Sequence, residues 1–128
     1  MKIKAIGFDI GGTLVNYNKP LNWSAYFDDA IKFMCSKNDI KLTEKRLETA
    51  KIILQKYNTR INPREKEVSS QKIFEEIFEK WNENKEKLDD SIKTFFDLFQ
   101  REAVLYGDTE KILKYCQEND IQCASIQM

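Results

Sequence analysis

The stretch IKAIGFDIGGTL, residues 3–14, is an apolar run that ends on Asp9 and is then broken by two glycines. Residues 2–9, KIKAIGFD, read as a short buried strand that stops at the aspartate. Gly11 and Gly12 stop it at once. An aspartate at the carboxyl end of such a strand, followed by Gly-Gly-Thr, is a placed arrangement. In parallel α/β folds, ligands bind just beyond the carboxyl ends of the strands. Glycines also let backbone N–H groups approach a phosphate closely. Asp9 is therefore expected to face an anion-accepting crevice.

Outward from this motif the hydrophobic period changes. Asn16 to Asn22 contains Pro20 and three asparagines and reads as a loop. Trp23, Tyr26, Phe27, Ala30, Ile31 and Met34 then recur at helical spacing, with Asn22 or Ser24 as cap. Thr43 caps a second expected helix, whose apolar side carries Leu47, Ala50, Ile53, Leu54 and Tyr57. Asn58 to Arg64, with Pro63, is a turn. A third helix carries Ile73, Phe74, Ile77, Phe78 and Trp81, and a fourth carries Ile92, Phe95, Phe96 and Phe99. Each stripe is wide enough to face a shared core. Gly107 is expected to end a helix and Asp108 to cap the next, which runs through Ile112, Leu113 and Cys116. After an Asn119-Asp120 turn, Ile121 to Ile126 reads as a second strand. Two strands separated by helices should pair in parallel.

Composition narrows the chemistry. Lysine plus arginine, at 21, equals aspartate plus glutamate, at 21, which gives no electrostatic reason to expect nucleic acid or an anionic membrane as partner. No apolar stretch approaches the ~20 residues of a bilayer span, and Ile3 to Phe8 is too short for a signal-peptide core. A cytoplasmic location follows by default. Cys35, Cys116 and Cys123 lack paired spacing and read as reduced thiols. Histidine is absent, which removes Ser-His and Cys-His nucleophile systems and argues against zinc.

Two families use nearly the string around Asp9. Over Asp9-Ile10-Gly11-Gly12-Thr13 alone, the sequence fits the sugar-kinase and actin pattern, Asp-x-Gly-Gly-Thr, better. That family continues into a second long apolar strand, whereas Leu14-Val15 here give way to Asn16-Tyr17-Asn18-Lys19-Pro20. The sequence offers no second strand at this point. The whole order instead resembles the haloacid dehalogenase superfamily, with its Asp-x-Asp-Gly-Thr-Leu motif and an inserted helical cap. Tyr106-Gly107-Asp108-Thr109-Glu110 onward to Ile126 resembles that family's return to its core. The resemblance implies an α/β fold that is mostly helical by content. Residues 1–17 and 104–128 would form a partial Rossmannoid core of two parallel strands, and 18–103 an inserted four-helix cap.

The resemblance also implies site roles. Asp9 matches the aspartate that attacks phosphorus, and Thr13 the motif threonine that orients the site. Asp9 and the Gly11 carbonyl would hold Mg2+, and the backbone N–H groups of Ile10 and Gly11 would line the phosphate pocket. Gly11 stands where the family places its general acid–base aspartate, a group worth about 10²–10⁴ in rate. The phosphate-binding hydroxyl at the tip of the second strand falls at Gln127, with Ser125 as the candidate donor two residues earlier. The family's lysine and acidic-pair motifs would lie beyond the second strand, and the sequence stops at Met128. A truncated reading frame, a fragment or a chain needing a partner is therefore expected, with uncovered strand edges as a route to self-association. The implied function is Mg2+-dependent phosphoryl transfer from a small phosphorylated metabolite, with a non-catalytic remnant of the same ancestry as the alternative.

Overall fold

A computed structural model describes residues 2–17, 23–100 and 103–126. It is mixed α/β, with five α-helices among the described residues. The chain divides into two compact units, Asn22–Arg101 and Met1–Leu21 with Glu102–Met128. The loop expected around Pro20, with Lys19 and Asn22, and the strand tip at Gln127 lie outside the described residues.

The first unit is helical. Helices α1 (Trp23–Lys37), α2 (Glu44–Lys56), α3 (Ser70–Trp81) and α4 (Leu88–Gln100) pack as a ring, α1 against α2 and α4, and α3 against α2 and α4. The periodic apolar residues close this ring from within. Ala30, Ile31, Met34, Ala50, Phe74, Ile77, Phe78 and Phe95 are among the buried members of one cluster. The caps follow from ordinary chemistry. Thr43 Oγ1 accepts the Arg46 N–H at 3.2 Å, and Ser69 Oγ accepts the Lys72 N–H at 3.3 Å. Ser24 lies inside α1, where its hydroxyl donates to Gln55 Oε1 at 3.4 Å instead of capping. Arg46 joins the start of α2 to the end of α3. It donates to the Trp81 carbonyl at 2.6 Å and to Glu83 at 2.9 Å, while the Trp81 indole N–H donates back to the Arg46 carbonyl at 2.9 Å. No helix among the described residues is long and apolar enough to cross a membrane.

The second unit holds the strands β1 (Ala5–Phe8), β2 (Val15–Tyr17), β3 (Ala103–Leu105) and β4 (Gln122–Ser125), with helix α5 (Thr109–Glu118). Strands β1 and β4 pair in parallel, Ala5 with Gln122 through Phe8 with Ser125. Strands β2 and β3 pair antiparallel, Val15 with Leu105 and Tyr17 with Ala103. This second ladder makes four strands where a core of two parallel strands was expected, and it corrects two further expectations. Val15-Asn16-Tyr17 is a strand and not the start of a loop, and Gly107 follows a strand and not a helix. The physical reason is partnership: Val15 to Tyr17 satisfy their backbone on a segment more than eighty residues away, and the helical unit is inserted between the two. Asp108 sits at the N-cap position of α5 in an αR conformation, with no side-chain capping bond. The turn Asn119-Asp120 is present, with Asp120 at φ 53°, and leads into β4.

Candidate active site

The polypeptide leaves β1 at Phe8, and Asp9 follows directly. The next six residues close a tight turn on one carbonyl. The Ile10 oxygen accepts the N–H groups of Thr13 (3.2 Å), Leu14 (3.0 Å) and Val15 (3.0 Å). The Gly12 N–H donates to the Val15 carbonyl at 2.9 Å. Gly12 adopts φ +79°, where an L side chain is strained, so this position favours glycine. Gly11 has no such constraint, and a Cβ there would meet no atom within 4 Å.

Within this turn the Thr13 hydroxyl donates to Asp9 Oδ2 at 3.4 Å. Asp9 is half-buried, while Ile10, Gly11 and Thr13 are exposed. Among the described residues, the N–H groups of Ile10 and Gly11 make no hydrogen bond to the chain. Two such donors beside an aspartate are the groups a bound anion would use. Ser125 is in register with Phe8, one residue before Asp9, and is exposed. The ladder thus brings Asp9, Ile10, Gly11 and Thr13 together in one turn and sets Ser125 on the adjoining strand.

Sequence reasoning missed the residue that pins this turn. Thr109 is 3% exposed, and its hydroxyl donates to the Leu14 carbonyl at 2.6 Å. Its own N–H donates to the Tyr106 carbonyl at 3.1 Å, and the Tyr106 N–H reaches the same Leu14 oxygen at 3.3 Å. A threonine beside an aspartate at a helix start reads as an ordinary cap, so nothing in the string marks it. Beside the turn lies a hollow of about 480 Å³, whose wall includes Phe8, Thr13, Asp108, Lys111 and Tyr115.

The donor chemistry for a divalent cation is limited but of the right kind. Among the described residues, no group of three or more acidic or cysteine side chains is gathered to hold a metal. The Asp9 carboxylate and the Gly11 carbonyl are hard oxygen donors. Mg2+ keeps several waters and is commonly held by one or two carboxylates plus substrate phosphate, so the pair fits a water-rich site. The thiols do not enter this chemistry. Burial pushes the Cys35 thiol up to about 11, and burial followed by the neighbouring Cys123 raises Cys116. Both therefore stay protonated and act as small apolar groups.

Scanned against protein-family models, curated proteins and solved structures, the chain matches none.

Proposed function

We propose that this chain carries a phosphoryl-transfer site of the haloacid dehalogenase type, with Asp9 as nucleophile toward a small phosphorylated metabolite. The observation that carries this reading is the turn after β1. It sets one carboxylate beside two unspent backbone N–H groups at the carboxyl end of a parallel strand. Gly12 adds support, because the position the family motif keeps as glycine is the one at φ +79°. The strand pairing disfavours the sugar-kinase reading, since β2 pairs with β3 and not with β1.

In this reading Asp9 Oδ attacks phosphorus as the bond to the leaving oxygen breaks, and water then cleaves the aspartyl phosphate to release inorganic phosphate. The N–H groups of Ile10 and Gly11 donate to the phosphoryl oxygens and stabilise their charge. Thr13 holds the Asp9 carboxylate in its rotamer. Ser125 is the candidate hydroxyl donor from β4. Asp9 and the Gly11 carbonyl would hold Mg2+, which would supply electrostatic stabilisation of the transferring group. No side chain at position 11 protonates the leaving group. Substrates with good leaving groups are therefore turned over, and alkyl phosphates slowly. The free thiols support a reducing, cytoplasmic setting. Among the described residues, β1 and β4 have only each other as partner, and their outer edges are the proposed route to self-association.

The test is phosphate release from an aryl phosphate in the presence of Mg2+. Asp9→Asn should reduce the rate to background. Gly11→Asp, which has room for its side chain, should raise turnover of an alkyl phosphate by about 10²–10⁴. Equal rates for the wild-type chain and Asp9→Asn would sink the catalytic reading and leave the non-catalytic alternative.

A further inference from the structure

We infer that the helical unit holds a second binding site, one for a small carboxylate with an apolar body, in the pocket beside the turn between α2 and α3. The pocket is an open hollow of about 370 Å³. Small-molecule sites commonly run from about 300 to 1,000 Å³ and combine apolar walls with few polar groups. Here the walls are Phe27, Leu54, Ile73, Phe74 and Phe95. Phe96 also lines the pocket and remains 38% exposed, although its ring lies 5.3 Å from that of Phe95. An aromatic ring left at the mouth of an apolar hollow is surface that a ligand body would cover.

Arg64 selects the headgroup. It lines the same pocket, and its side chain is only 22% exposed. Two bonds to backbone carbonyls hold it in place, Nε to Lys66 at 3.1 Å and Nη1 to Tyr57 at 2.6 Å. The guanidinium carbon also lies 5.8 Å from the centre of the Tyr57 ring. These contacts hold the planar fork, and among the described residues Nη2 has no hydrogen-bond partner. Its nearest charge is Glu67 Oε2 at 3.8 Å, on a side chain 91% exposed. A guanidinium carries five N–H donors in fixed geometry, so a pre-set donor remains at the pocket lip. Charge-assisted bonds from such a group to carboxylate are among the strong ones. Glu67, on the same rim, opposes a phosphate dianion more than a single carboxylate. The occupant is therefore a monoanion with an alkyl or aryl tail. This site shares no residue with the Asp9 turn and stands or falls apart from it.

Phenylbutyrate and its neutral analogue phenylbutanol test it on the full chain, by backbone amide NMR titration. Phenylbutyrate should bind saturably, with shifts centred on residues 57–74 and 95–96. Arg64→Gln should weaken phenylbutyrate about tenfold and leave phenylbutanol within about twofold, because only the carboxylate ligand uses the guanidinium. Equal loss of both ligands would overturn the headgroup role and leave Arg64 as a strut of the turn. Absence of saturable phenylbutyrate binding would overturn the site itself. If Arg64→Gln does not fold, Glu67→Gln carries the test. Removing that exposed carboxylate should tighten phenylbutyrate about threefold without changing phenylbutanol, and an unchanged affinity would overturn the proposal.

Discussion

The two units of this chain are built on opposite terms. Every member of the main buried cluster lies between Phe27 and Phe99, inside the helical unit. Among the described residues of the strand unit, only Thr109 and Cys116 are buried. The helices hold their positions by removing apolar surface from water, at roughly 25 cal/mol per Å². The strand unit is held by backbone pairing and by a few polar bonds, among them three at the Ile10 carbonyl and two at the Leu14 carbonyl. Stability and candidate chemistry therefore sit in different units. An exposed, hydrogen-bonded turn is a poor source of folding energy, but it leaves N–H groups and a carboxylate accessible to a ligand.

The largest expected effect attacks the helical half of this contrast. Phe74 is 2% exposed and meets the Phe95 ring edge-on at 5.0 Å. Phe74→Ala should cost about 3–5 kcal/mol, the usual range for emptying an aromatic site in a packed core. Urea unfolding followed by far-UV circular dichroism reads it. A loss below about 1 kcal/mol would mean that the ring of helices is loosely packed, and the contrast would fail.

A smaller effect attacks the strand half. Thr109→Val keeps the shape but removes the hydroxyl that meets the Leu14 carbonyl at 2.6 Å. The buried bond is worth about 1–2 kcal/mol. Amide exchange at Leu14 and Val15, whose N–H groups close on the Ile10 carbonyl, should speed up about tenfold, since 1.4 kcal/mol is one decade. Unchanged exchange would show that backbone pairing alone sustains the turn, with no need of the side chain.

The same contrast explains what the amino-acid string revealed. The helices were legible because burial imposes a period. Phe74, Ile77, Phe78 and Trp81 repeat at three and four residues, and all four are buried. Thr43 was legible as a cap because its chemistry is local. The strand character of β1 was legible from its apolar run, and that of β4 from Ile121 to Ile126. The expected burial of β1 is not found: none of Ala5–Phe8 is buried, because the strand has β4 as its one partner among the described residues. The ladder of β2 and β3 was not legible. Each strand has three residues, too few to show alternation, and each gains its partner from the far side of the helical insertion. Of the candidate turn, Asp9, Gly11, Gly12 and Thr13 stood out in the string by residue type, and of the two glycines only Gly12 meets a backbone constraint. Thr109 did not stand out, because its meaning depends on a carbonyl 95 positions away.

The smallest effect returns to the helical core and asks whether burial alone governs it. Ser91 is fully buried, and among the described residues its Oγ has no hydrogen-bond partner. An unpaired hydroxyl in an apolar cluster carries its desolvation cost with nothing to offset it. Alanine removes that oxygen and has the better helix propensity. Ser91→Ala should therefore leave stability unchanged or raise it by up to about 1 kcal/mol, read as a higher urea midpoint with an unchanged slope. A clear loss would mean that the hydroxyl is bonded within the cluster. The helical unit would then rest on polar placement as the strand unit does at Thr109, and the division between a core built by burial and a site built by hydrogen bonds would no longer hold.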